Sequence, residues 1–325
     1  MFSASSELDT DFTHLAPYVK ALKQAQPDWP VTAYVRSSKP EAELKASLGA
    51  DNIIVGDFSD YEKIKKISKE HDIVVNAGNS FTEEPVAAII AGLKEKDSAT
   101  KGKLIHISGA GNFIDFGTSG NFNTESKVWN DSKQEDIKAI TKDMFNGKSD
   151  VPVLEAGSAI DTYIVCPSVV YGGASISSPT KGIGYTLLTS NAKPLGYVPY
   201  VGDGTAVLST CHVLDLVDFL VKITKHAAEG PASGTAYSRY YMLETSRVQW
   251  KDLATELAKA MHARGLVQSS EPKAVPFEQA GEGEVKHLVA ANMLIEGERA
   301  AALGFEAKQP SILVQIHEDL KVVPI

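Results

Sequence analysis

Residues 72–108 read DIVVNAGNSFTEEPVAAIIAGLKEKDSATKGKLIHIS, and this stretch decides the fold. Its ends, Asp72–Asn76 and Lys103–Ser108, are short and apolar along nearly their whole length, as strands covered on both faces are. Between them, Glu83–Lys94 spaces its apolar residues as a helix does. A strand, a helix and a second buried strand form a crossover unit, which makes neighbouring strands parallel.

The same alternation continues on either side. Upstream lie a helix over 12–26, a strand Val31–Val35, a helix around Pro40–Leu48, a strand Asn52–Val55 and a helix over Tyr61–Glu70. Downstream come a Gly- and Asn-rich loop over 109–133, a weak helical stretch over about 134–145, and the strand Thr162–Cys166. The expected fold class is α/β, a doubly wound parallel sheet with helices on both faces. Residues 1–172 make the core. Residues 173–325 make a smaller substrate region from which 205–226 returns to the core. That region holds further helices over Asp215–His226 and Trp250–Arg264, a strand near Tyr240–Leu243, and a last helix after Pro310.

With 325 residues, 43% hydrophobic content and net charge −9, the chain can bury a large core and carries no basic footprint for nucleic acid. No apolar run reaches the roughly 18 residues a membrane span requires. Cys166 and Cys211 form no framework, and a reduced cytoplasmic setting with a small-molecule substrate is expected. A homo-oligomer stays open. The eight histidines show no metal-ligand spacing.

Candidate site residues follow the ends of the strands. Val35 runs into Arg36, Ser37, Ser38 and Lys39. An Arg at that point suits a ribose phosphate, where a carboxylate suits a free hydroxyl. A solvated basic turn is the plain alternative. Asp57 and Phe58 follow the next strand and Asn76, Ala77 and Gly78 the one after. Small residues there let the backbone pass close to a ribose, although a tight turn needs them too. Ser108 ends the fifth strand and can bond a substrate carbonyl or hydroxyl, while His106 reads as a core histidine.

Three later elements complete a pattern: Pro167-Ser168-Val169-Val170-Tyr171-Gly172, His212-Val213-Leu214-Asp215-Leu216, and Arg299-Ala300 with Leu303-Gly304-Phe305. In this order the pieces resemble the extended and atypical branch of the short-chain dehydrogenase/reductase superfamily, the epimerase/dehydratase-like and NmrA-like proteins. The resemblance covers roughly residues 12–325. It implies a Rossmann-like sheet and an oxidoreductase or epimerase acting on a small carbonyl, alcohol or sugar-like compound. It also implies a nicotinamide cofactor, NADP(H) rather than NAD(H) because of Arg36, held by Arg36, Ser37, Lys39, Asp57, Phe58, Asn76, Ala77, Gly78 and Pro167. Ser108, Lys133 and Tyr171 are the catalytic candidates.

Two departures qualify that reading. The family pairs a tyrosine with a lysine one helical turn later, the lysine lowering the phenol's pKa. Here the expected place holds Trp129 and Lys133, and indole has no titratable proton near neutrality. The front is altered as well. Residues 1–11 read MFSASSELDTD, with three acids and no glycine. The family's three turn glycines fall on Asp9, Phe12 and Leu15, so the first strand is missing or degenerate and cofactor binding is open to loss. An empty central slot forfeits about five buried side chains, on the order of 10 kcal/mol. A domain has roughly 5–15 kcal/mol in all. Residues 2–8 as a poor strand, a partner's strand, or a mis-assembled start of the reading frame each account for the gap, and the last ranks first. A non-redox pseudo-enzyme, a cofactor-independent catalyst or binding module, and an interaction protein completed by another chain's strand are the competing functions.

Overall fold

The computed structural model describes residues 2–4, 15–37, 39–96, 101–173, 189–279 and 283–322. Its first half alternates β1 (Phe2–Ala4), α1 (Leu15–Ala25), β2 (Thr32–Val35), α2 (Glu41–Leu48), β3 (Asn52–Val55), α3 (Tyr61–Lys69), β4 (Ile73–Asn76), α4 (Glu84–Lys94) and β5 (Lys103–Ile107). There follow β6 (Ile114–Asp115), β7 (Trp129–Asn130), α5 (Gln134–Lys138), α6 (Gly147–Ala156), β8 (Asp161–Pro167) and β9 (Val169–Tyr171). The remainder holds α7 (Ala192–Leu195), β10 (Pro199–Val201), β11 (Val207–His212), α8 (Val213–Ala228), β12 (Tyr240–Leu243), β13 (Ser246–Gln249), α9 (Trp250–Ala263), β14 (Lys273–Val275), β15 (Asn292–Met293), β16 (Ile295–Glu296), α10 (Glu298–Ala302) and α11 (Ile312–Val322).

Seven strands form the main sheet in the order β12-β8-β5-β4-β1-β2-β3. Every neighbouring pair is parallel. The winding reverses between β1 and β4, which is where open α/β sheets leave a crevice for ligands. The slot between β2 and β4 is filled by the chain itself. Phe2 pairs with Ala33 on one side and Val75 on the other, and Ser3 lies between Tyr34 and Asn76. Of the three accounts of the gap, a poor strand near the front is the one the structure shows. The acids Glu7, Asp9 and Asp11, with residues 12–14 of the expected first helix, lie outside the described residues.

Side chains alternate across the sheet with the period of two that extended backbone imposes. Tyr34, Val74, Leu104, Ile164, Cys166, Tyr240 and Met242 enter one core with Ile64, Ile89, Leu93 and Val153 of α3, α4 and α6. Ala33, Val35, Val75, Ile105, Val165 and Leu243 enter the other with Tyr18, Leu48 and Phe219 of α1, α2 and α8. In α4, Gly92 allows close helix contact, since a Cβ there would stand 2.1 Å from the Lys65 carbonyl oxygen of α3.

Two features depart from the sequence reading. Helix α6 lies where no helix is expected, because Pro152 interrupts its pattern; packing of Val153, Leu154 and Ala156 on the core outweighs the missing N–H. Strand β12 joins the edge of the main sheet through β8, so residues 240–243 return to the core as α8 does.

Proline is tolerated at sheet edges and not at centres, because it removes a ladder donor. Ser3→Pro should therefore lower stability by at least about 1–3 kcal/mol, the cost of an unmade buried hydrogen bond. A urea midpoint equal to the unmodified chain's would show that β1 carries no share of the ladder.

Candidate functional site

Because all seven strands run the same way, their carboxyl ends form one edge, and the strand-end residues picked out in the sequence share it. Arg36 follows β2, Asp57 and Phe58 lie just past β3, Asn76 ends β4, Ser108 follows β5 and Pro167 ends β8.

At the β2/β3 end, Asp57 is held below the usual carboxylate range. The hydrogen bonds from Ser59 Oγ (2.7 Å) and Ser59 N (2.8 Å) contribute most, and the Arg36 charge adds to them. Arg36 thus stands near the end of β3 as well as that of β2. Ser37 Oγ accepts from Lys39 N, and Lys39 pairs with Glu43 at 3.0 Å on the surface. Phe58 is buried edge-on against Tyr34, with ring centroids 5.6 Å apart, and belongs to the core. Asn76 Oδ1 accepts from Gly78 N (3.2 Å), which fixes the turn after β4.

The Ser108 end is organised around a carboxylate that the sequence reading missed. Asp150, in the first turn of α6, is fully buried. Its Oδ2 accepts three hydrogen bonds: from Ser108 Oγ (2.8 Å), Asn112 Nδ2 (2.9 Å) and the Tyr240 hydroxyl (2.9 Å). Its Oδ1 has no hydrogen-bond partner and lies 3.4 Å from His106 Nε2. His106 is the expected core histidine, buried between Asn76 Nδ2 (3.0 Å) and Ser149 Oγ (3.1 Å). Asn146 completes the shell, its N–H donating to Asn112 Oδ1 (2.7 Å) and its Nδ2 to Ser80 Oγ (2.8 Å). Burial pushes the Tyr240 phenol and the Cys166 thiol far up, and the Asp150 charge pushes both further. Neither ionises near neutrality.

Asn146 caps α6, and Asp150 lies four residues on in its first turn. Trp129 and Lys133 are not one helical turn apart. Trp129 lies in β7, paired with Ile295, while Lys133 precedes α5 as its cap residue. The Trp129 indole is sandwiched, with Lys127 Nζ 3.6 Å from its ring and Phe113 at 5.1 Å. Tyr171 donates its hydroxyl to the Pro310 carbonyl (2.8 Å) and stands edge-on to His212 at 5.1 Å. Burial raises its phenol to about 12. Among the described residues, no hydrogen bond or ion pair joins Ser108, Lys133 and Tyr171. Pro167 is buried in register with Leu243.

The remaining sequence motifs serve the scaffold. His212 caps α8 by accepting from Leu214 N (3.1 Å), and Asp215 accepts from Lys308 N (3.1 Å). Arg299 donates to the Tyr237 carbonyl (2.6 Å), and its backbone N–H reaches Asp131 (3.0 Å). Among the described residues no group of three or more His, Cys, Asp or Glu is placed to hold a metal, and no helix is long and apolar enough to cross a membrane.

A dinucleotide fits the donor chemistry of this edge at its adenosine end. The end of β2 offers a guanidinium where a carboxylate would repel a phosphate, and the turn after β4 is Ala77-Gly78. A family described as NAD(P)H-binding matches residues 17–175, a span that begins beyond the altered front. Oxidase ucsJ of an Acremonium species is 27% identical over 303 residues, 87% of this chain and 86% of that protein. A dTDP-glucose 4,6-dehydratase from Streptomyces venezuelae, solved with NAD bound, superposes with a TM-score of 0.66 at 14% identity, covering 99% of this chain and 96% of the other. A UDP-glucuronic acid 4-epimerase from Bacillus cereus, solved with UDP-glucuronic acid and NAD, gives 0.60 at 13% identity, covering 99% and 98%. Fold and sequence together define an α/β protein whose first half is similar to NAD(P)H-binding domains. Its fold is that of the epimerases and dehydratases among these solved structures.

Two expectations follow for the buried carboxylates. Asp150→Ala strands three buried donors at once and should cost on the order of 3 kcal/mol in chemical denaturation; a loss within experimental error would mean that the shell closes over the gap. Asp131 accepts from Met242 N (2.9 Å), yet burial raises its carboxyl from 3.8 to about 6. The folded state therefore binds this proton more tightly than the unfolded chain. The resulting stability is complete below the unfolded value and is lost as pH rises through about 6, on the order of 3 kcal/mol. Asp131→Asn should flatten that slope between the two values, and an unchanged slope would assign it to other groups.

Proposed function

We propose that this chain is an NADP(H)-preferring oxidoreductase or epimerase-like enzyme that works in the cytoplasm on a small carbonyl, alcohol or sugar-like compound. The observation that carries the reading is the single carboxyl edge on which Arg36, Asp57, the Asn76–Gly78 turn and Ser108 follow one another across the β1/β4 reversal. In that reading Arg36 meets the ribose phosphate, with Ser37 and Lys39 beside it, and the Ala77-Gly78 turn lets a ribose pass close to the backbone. A nicotinamide held there supplies hydride exchange with a carbon of the substrate. Ser108 holds the substrate oxygen, and Asp150 fixes the direction of the Ser108 hydroxyl. Its neighbours Asn112 and Tyr240 keep that carboxylate in place.

A second reading, a non-redox protein on the same fold, is favoured by one feature. At the start of α6, four residues apart, stand Asn146 and Asp150 and not a tyrosine and a lysine. No lysine-activated tyrosine then drives proton transfer, and binding becomes the property under test.

Titration of NADPH and NADH, followed by nucleotide fluorescence, separates the two. Saturable NADPH binding is expected, weakened about tenfold to a hundredfold in Arg36→Ala through loss of a charge-assisted phosphate contact. NADH binding should change by less than about twofold in the same variant. No saturable response to either nucleotide up to millimolar concentration would overturn the oxidoreductase reading.

A further inference from the structure

A chain of hydrogen bonds runs from the turn after β4 to α6, and every bond in it has a fixed direction. It starts where Gly78 N–H donates to Asn76 Oδ1 (3.2 Å). That bond sets the amide, so Nδ2 is the atom that faces His106 Nδ1, at 3.0 Å. An amide nitrogen only donates, and His106 Nδ1 must accept. Turning the amide over would set two donors against each other at Gly78.

The far side of the ring is equally constrained. Ser149 Oγ lies 3.1 Å from His106 Nε2 and gives its one hydrogen to backbone carbonyls, with Ser80 at 2.6 Å and Asn146 at 3.0 Å. It can only accept from the ring, so Nε2 carries the hydrogen. The same N–H faces Asp150 Oδ1 at 3.4 Å, the carboxylate oxygen that no hydrogen bond reaches. His106, Ser149 and Asp150 are all fully buried, and a ring turned the other way would strand donors where solvent cannot reach them.

The chain closes on the turn from which it started. Ser80, whose carbonyl takes the Ser149 hydrogen, lies just past Gly78, and its Oγ accepts from Asn146 Nδ2 (2.8 Å). Residues 78–80 are thus held from β4 through Asn76 and from α6 through Ser149 and Asn146. The His106 ring is the link between the two holds. This turn stands across β1 from Arg36, on the far side of the winding reversal that a dinucleotide spans.

From this closed chain we infer that His106, with its proton held on Nε2, is a positioning residue that ties the turn after β4 to α6, so that a nucleotide seated on the turn and the buried Asp150 carboxylate act on each other through one ring. The inference rests on the oxidoreductase reading for the nucleotide and adds to it the means by which the nucleotide's seat keeps its shape.

The test uses the full chain, with isotope-labelled histidine rings for nitrogen NMR, and one variant away from the nucleotide. Among the eight histidines, His106 is identified by the signal that His106→Gln removes. Its expected pattern is a bare Nδ1 and a protonated Nε2, and saturating NADPH should shift it. Ser149→Ala keeps α6 helical, since alanine is the better helix former, and cuts the link to Ser80. It should weaken NADPH and NADH alike by about threefold to tenfold, the worth of one hydrogen bond. The adenosine bisphosphate half of NADP, which stops short of the turn, should bind as it does to the unmodified chain, a selectivity that general loosening of the fold would not produce. A protonated Nδ1, a ring signal unmoved by saturating NADPH, an unchanged NADPH affinity in Ser149→Ala, or an equal loss for the adenosine half would each overturn the inference and leave the oxidoreductase reading in place. No saturable binding of either nucleotide to the unmodified chain overturns that reading, and the inference with it.

Discussion

A doubly wound sheet cannot leave its central slot empty, and here the slot is closed by three residues. Phe2–Ala4 hydrogen-bond to β2 on one side and β4 on the other. Without them the ladder splits into a pair, β2-β3, and a group of four, β12-β8-β5-β4. The crevice at which the winding reverses exists only because β1 bridges those halves. Arg36 and Asp57 stand on one side of it and Asn76 and Ser108 on the other, so the geometry of every candidate contact is inherited from that short strand. Backbone pairing decides this more than side-chain content, which explains how a stretch of such weak strand character holds so central a place.

Much of the scaffold was legible because its signal is periodic. Short apolar runs at Asn52–Val55, Asp72–Asn76 and Lys103–Ser108 alternate with helical patterns, and the strands fall within a residue or so of those positions. Legibility fails where a local rule loses to packing. Pro152 hid α6, although burial of Val153 and Leu154 makes that helix hold. Phe2–Ala4 carries no run of β-branched residues and gains its place from two neighbours that sequence pattern alone does not assign to it.

The candidate site was legible by position and opaque by partnership. The ends of strands are readable, so Arg36, Asn76 and Ser108 were found. Which group faces Ser108 depends on how α6 packs over β5 and β12, and Tyr240 is 90 residues from Asp150 in the chain. Trp129 and Lys133 keep a spacing of four residues in the sequence, but the first lies in β7 and the second caps α5, so no helix gives that spacing meaning. Once α6 is placed, the group that faces Ser108 is the hydrogen-bonded carboxylate of Asp150.

Strand β12 carries a consequence for how the molecule can come apart. It covers β8 with a segment more than seventy residues farther along the chain, and the two are in register from Tyr240–Ile164 to Leu243–Pro167. A fragment ending before residue 240 would leave β8 as a bare edge, a row of unpaired N–H and C=O groups on a strand whose seven residues are all buried in the intact chain. Such a piece would present a sticky template to its own copies instead of a small, well-behaved cofactor domain. The nominal boundary after residue 172 is thus a division of labour in sequence, while self-association is held off by residues on its far side.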